Sequence, residues 1–190
     1  MPILGIIASS KLSAVPNDYE SIETISVGSG GQASIVFDNI PSTYKHLQIR
    51  ALIKSTTGGT DTWALSTQAY LNSDTTVANY AYHRIIGNGS TSADSGGANA
   101  IGTMGFTPGP GAADIFAPTI IDILDYANTN KYKTFRALSG SDDNAISNAA
   151  FIGVLSQLWK NTDAVHTVQL QMSSGSYAQY SHFALYGIKG

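Results

Sequence analysis

Val-His-Thr-Val-Gln-Leu-Gln-Met at 165–172, the turn Ser-Ser-Gly-Ser at 173–176, and Tyr-Ser-His-Phe-Ala-Leu-Tyr-Gly-Ile at 180–188 form the stretch that decides the fold. In its first run Val168, Leu170 and Met172 alternate with Thr167, Gln169 and Gln171. That period of two belongs to a strand with one face in a core and one in water. The second run is apolar on both sides, with Phe183 and Leu185 against Ala184, Tyr186 and Ile188. Such a strand is either covered on both faces or lies in an interface. The Ser/Gly turn between them predicts a hairpin, with the second strand closing its sheet. Phe183, Leu185, Tyr186 and Ile188 are accordingly the candidate subunit-interface residues.

The same pattern runs upstream. Ile22, Ile25 and Val27 mark a strand, Gly-Ser-Gly-Gly at 28–31 a tight turn, and 33–37 its return, a predicted first hairpin. His46 to Lys54 alternates most cleanly, with Leu47, Ile49, Ala51 and Ile53 on one side. Further strands are expected over 63–71, 80–86, 101–106, 132–138 and 151–159. Another is expected within 115–124, where Pro118 argues for an edge, a bulge or a start near Thr119. Residues 87–99 and 107–114 are rich in Gly, Ser, Ala and Pro and are expected to be loops. No segment holds a 3.6-residue period over three turns, and Gly153 with its β-branched neighbours favours strand over helix at 149–160. Ten or eleven short strands without helices predict an all-β sandwich or barrel spanning 19–190.

Residues 1–18 are expected to be an arm. Ile3, Leu4, Ile6 and Ile7 are apolar, and a small, polar stretch broken by Pro16 follows them. Each such side chain gains about 1.5–3 kcal/mol on full burial, so the arm should dock on its own domain or on a neighbour. No positive region precedes the patch, and it is too short to span a membrane.

Composition narrows the function classes. Of 190 residues only 12% are charged, about half the usual share, and the net charge is −3. No basic surplus is available to neutralise phosphates, which disfavours a nucleic-acid partner. Ser, Thr, Asn and Gly together supply 69 residues, a neutral surface suited to packing against copies of itself or a partner. There is no cysteine, so disulfides, thiolate zinc sites and thiol nucleophiles are excluded, and the chain must hold together by packing.

Chemical motifs are sparse. His46, His83, His166 and His182 lie in no ligand spacing, although the last two would meet across a terminal hairpin. Asp142-Asp143-Asn144, and Asp122 with Asp125, are the carboxylate clusters, weak candidates for calcium or for glycoside hydrolysis. No phosphate loop, dinucleotide fingerprint or nucleophile elbow occurs. No cofactor is implied. Trp63, Tyr80, Tyr82 and His83 sit beside polar loops, where aromatic faces could stack on a sugar or cap the core.

MPILGIIASSK at 1–11, YESI at 19–22, IPSTYKHLQIR at 40–50, YAYHRIIGNGS at 80–90, IIDILDYANTNKYKTFRALSG at 120–140 and FALYGIKG at 183–190 resemble a family of small tailed-bacteriophage virion proteins. The resemblance implies a jelly-roll-like antiparallel β-sandwich, a homotrimer exposed on a particle, and no catalytic residues. It points to a capsid decoration (cement) protein made in the bacterial cytoplasm. There the arm would lie across the major capsid protein. The alternative is a tail-fibre module that contacts other tail proteins or a host surface glycan.

Overall fold

The computed structural model describes residues 18–58, 66–88, 92–111, 114–142 and 150–190. Residues 1–17 of the N-terminal arm, Trp63, and Asp143 with Asn144 of the possible calcium loop lie outside them. The described residues form twelve strands and a single 3-10 turn, Val77–Asn79, with no α-helix. In chain order the strands are β1 (Tyr19–Ser26), β2 (Ser34–Phe37), β3 (His46–Ile53), β4 (Ser66–Leu71), β5 (Tyr80–Gly87), β6 (Ser92–Ala98), β7 (Gly105–Phe106), β8 (Ala117–Leu124), β9 (Lys133–Ser141), β10 (Phe151–Trp159), β11 (Val168–Met172) and β12 (His182–Ile188).

They make two antiparallel sheets, β1-β12-β3-β8-β9-β10-β5-β6 and β2-β11-β4-β7. Setting aside β5, β6, β9 and β10, the remaining eight pair first with last, second with seventh, third with sixth and fourth with fifth. That nested ribbon, folded over into two sheets, is a jelly roll. The expected all-β jelly-roll sandwich is therefore the architecture found. The four additional strands widen the larger sheet beyond β8.

Both predicted hairpins are corrected by this topology. β11 belongs to the small sheet and β12 to the large one, so the turn at 173–176 begins a crossing between sheets. β1 and β2 are likewise split between the two sheets. A Gly/Ser turn signals that the chain reverses, and it carries no information on which layer receives the returning strand. Nor does the last strand close its sheet. β12 is hydrogen-bonded on both sides, to β1 and to β3. Residues 92–98, expected as loop, form the edge strand β6 paired with β5. Pairing with a neighbour overrides the low strand propensity of a Ser/Gly/Ala run.

Alternation decides the core. Leu47, Ile49 and Ile53 on β3, Ile121 and Ile123 on β8, and Phe183 and Leu185 on β12 are buried. They meet Ile35 and Phe37 of β2, Leu71 of β4, and Val168, Leu170 and Met172 of β11 in one cluster. Tyr177, on the crossing from β11, packs edge-to-face on Phe183 with ring centres 4.8 Å apart. Ile22 and Ile25 are an odd number of residues apart, so a regular strand would send them to opposite faces. A bulge between Ser21 and Glu23 re-phases β1, and both pack on the core. Pro118, second in β8, is paired with β3, while the β9 ladder starts one residue later at Thr119. Its missing N–H thus falls where that ladder has not begun.

Two polar groups tie the widened sheet to the roll. Lys133 occupies an inward position of β9 and is fully buried. Its ammonium donates to the carbonyls of Asn128, Lys131 and Thr162 at 2.7, 3.1 and 2.9 Å. Asp74, just after β4, accepts from Trp159 Nε1 of β10 at 2.8 Å and from Asn79 at 2.7 Å. The hydroxyl of buried Tyr80 donates to the Asp74 carbonyl at 2.8 Å. Asp74→Ala would leave the buried Trp159 N–H without its acceptor. The expected loss is about 1–3 kcal/mol in urea unfolding, and Trp159→Phe in the Asp74→Ala background should cost less than Trp159→Phe alone.

Candidate interaction surface

The outer face of the large sheet departs from the usual rule. One face of an antiparallel sheet is normally polar where it meets water. Here Ile85 of β5 stands opposite Val154 of β10, Val154 opposite Leu138 of β9, and Leu138 opposite Ile120 of β8. Ile85 is 66% exposed, Val154 53% and Leu138 45%, and Ile120 is half-buried. Side chains directly opposite on adjacent strands lie about 4.5–5.5 Å apart at Cβ, so the four form one continuous row. Ile152, 61% exposed, extends it along β10. Beyond it a groove of about 620 Å³ opens, lined among others by Ile115, Phe116, Pro118 and Ile152.

The row has a defined border. Two residues along, the same face carries His83, Ser156, Arg136, Asp122 and Gln48 in register across β5, β10, β9, β8 and β3. Gln48 donates to Asp122 Oδ1 at 2.7 Å, and Arg136 reaches Asp122 Oδ2 at 3.3 Å. Arg50 ends the apolar row opposite Ile120 and lies 5.5 Å from the centre of the Tyr19 ring. A contiguous apolar strip with a polar rim is the anatomy of a protein-docking surface, whereas isolated exposed apolar residues carry no such meaning.

The residues singled out from sequence are distributed otherwise. Phe183 and Leu185 are wholly buried in the core of their own chain. Tyr186 and Ile188 point to the outer face and are half-buried. Tyr186 stacks on Tyr19 of β1 with ring centres 4.8 Å apart. Tyr80 is wholly buried and offers no ring face to a sugar. Tyr82 shares its inward side and lies against Gly97 and Gly102, while His83 points outward over Gly96. These three therefore share no surface. The apolar row was legible only in part: 151–159 and 115–124 read as apolar strands, but cross-strand register alone aligns Ile85, Val154, Leu138 and Ile120.

The polar candidates are engaged structurally. Asp122 is held by Gln48 and Arg136. Asp125 forms ion pairs with Lys131 and, at 2.9 Å, with Lys45. His166 lies just before β11 and His182 opens β12, so the separation of those strands into two sheets keeps the imagined cross-hairpin pair from forming. Among the described residues no group of three or more His, Asp or Glu side chains is placed to hold a metal ion. Protein-family models, curated proteins and solved structures were compared with the chain, and none matches.

Lys131, and then Lys45, draw the Asp125 carboxyl down from 3.8 to about 2. A carboxyl with a depressed folded-state pKa contributes stability that is complete above its unfolded value and is lost as pH falls through the folded one. Asp125→Asn should therefore shrink the difference in urea midpoint between about pH 5 and pH 2. The two faces of β9 supply a second measurement. Leu138→Lys should change stability by no more than about 0.5 kcal/mol, as exposed positions do. Phe135→Ala, on the buried side of the same strand, should cost about 3–5 kcal/mol by thermal unfolding.

Proposed function

We propose that this protein is a non-enzymatic structural component of a tailed-bacteriophage particle, a capsid decoration protein that assembles as a trimer on the head. The observation that carries the reading is the exposed apolar row Ile85–Val154–Leu138–Ile120 with its polar rim. A large sheet apolar on both sides is suited to burial by another protein. The stretches that resemble phage virion proteins, at 40–50, 120–140 and 183–190, supply the kind of assembly.

On this reading identical subunits gather about a threefold axis. Each presents the outer face of its large sheet to the major capsid protein. Few charges need to be desolvated there, which keeps the cost of docking low. Each contact is weak, and a trimer that engages several capsid subunits at once gains avidity beyond any single contact. The jelly roll itself supplies the platform that carries this face.

Copy number and position in purified particles test the reading. Quantitative mass spectrometry should find the protein in hundreds of copies per particle, and antibody labelling should fall on heads. A handful of copies, with labelling on tails, would sink the head assignment and leave the tail-fibre role in its place. A mixed substitution, Val154→Lys with Leu138→Lys, should lower head occupancy at least tenfold while the subunit stays folded.

A further inference from the structure

A cation stands on the inner side of the widened sheet. The alternation that buries Tyr80 sends Tyr82 and Arg84 of β5 to that same side. Arg84 lies in register with Leu155 of β10 and Ser95 of β6, and it is half-buried. A charged side chain seldom leaves water without an opposite charge, because its desolvation is otherwise uncompensated. Elsewhere the chain supplies the partner. Lys45 and Lys131 meet Asp125, Arg136 meets Asp122, Lys189 meets Glu20, and buried Lys133 is capped by three carbonyls. Among the described residues no carboxylate pairs with Arg84. Its Nε donates to Ser95 Oγ at 2.8 Å, and its Nη1 reaches Thr103 Oγ1 at 3.5 Å.

The donors outnumber the acceptors. A guanidinium carries five N–H groups and each hydroxyl one O–H. Two of the five are engaged, and the contact to Thr103 is long for a charged donor, for which about 2.7–2.9 Å is usual. Ser95 and Thr103 accept from the arginine, so their own hydrogens remain to be donated. These groups stand on three fixed elements. Ser95 is held in the β5–β6 ladder. Thr103 lies between Gly102, whose N–H donates to Gln157 Oε1 at 2.7 Å, and Met104, whose N–H donates to the Thr67 carbonyl at 2.6 Å. Arg84, Ser95 and Thr103 are each half-buried, at the margin formed by the last strand of the sheet, so a small solute can reach them.

We propose that Arg84, Ser95 and Thr103 form a binding site for one small oxyanion, a phosphate or a carboxylate group. The outer edge of the guanidinium offers it two parallel N–H groups, and the two hydroxyls donate to its other oxygens. The anion supplies the counter-charge of Arg84. It also ties β5, the edge strand β6 and the segment 99–104 to one another. The site is independent of the particle role proposed above.

Calorimetric titration of the whole protein with sodium phosphate tests the site, at an ionic strength held constant with sodium chloride. One phosphate per chain should bind, and a parallel titration with sodium acetate separates the two sources. Saturable binding of acetate alone assigns the site to carboxylates, and of phosphate alone to tetrahedral anions. No saturable binding of either would overturn the proposal. Arg84→Gln should weaken binding at least about tenfold, as loss of a charged hydrogen bond does. Arg84→Lys keeps the charge and loses the planar fork, and it should also bind more weakly. Equal affinity in Arg84→Lys would reduce the cluster to a general attraction for anions and overturn the built site. Thr103→Val leaves the arginine in place and guards against misfolding of the Arg84 variants. It should weaken binding about two- to tenfold, and unchanged affinity there would remove the hydroxyls from the site. Lys189→Gln, an equal loss of charge at the opposite edge of the sheet, should bind as the wild type does.

Discussion

Two-sided pairing of β12 is the constraint on which the roll depends. The strand takes hydrogen bonds from β1 on one side and β3 on the other. Its inward residues Phe183 and Leu185 fill the centre of the core, where Phe183 meets Tyr177. Nearly the whole chain separates β1 from its partner, so the sheet closes only after the intervening strands are in place. Contacts this distant in sequence are costly in loop entropy before they repay it, which favours slow, cooperative folding. Gly187 shows how tight the closure is. A Cβ there would lie 2.4 Å from the Tyr44 ring, so no larger residue fits without displacing it.

The widening of one sheet creates the exposed apolar surface. β9, β10, β5 and β6 continue the large sheet past the small one. On the inner side, the segment that follows β6 fills the gap. Phe106 lies on Gly153, and Gly102 is pressed between Leu155 and Tyr82. On the outer side aliphatic residues remain exposed from β5 to β9. The same strands are thus apolar on both faces, one face being satisfied by the chain itself. The polar ties at Asp74 and Lys133 anchor this extension to the roll.

Much of this was legible from residues alone. The bounds of β3 follow from alternation, and the absence of helices among the described residues follows from the missing 3.6-residue period. The apolar character of 183–188 was equally plain, yet its meaning was not. A strand apolar on both sides fits an interface or an interior position, and the choice depends on which strands lie beside it. The aromatic cluster failed for a similar reason. Tyr80, Tyr82 and His83 are adjacent in sequence, and the pleat sends His83 to one side and the tyrosines to the other. Lys133 gave no sign of burial, because three carbonyls from separate segments must converge before its ammonium can leave water.

The sequence by itself determined most of the strands, most of their inward residues and the lack of charge, because period and composition are local properties that each segment expresses without its neighbours. Only the tertiary structure decided which sheet each strand joins, that the last strand lies inside rather than at an edge, and that Ile85, Val154, Leu138 and Ile120 align. The physical reason is that hydrogen-bond pairing between strands is indifferent to sequence. Register and layer emerge only when every apolar face competes at once for cover.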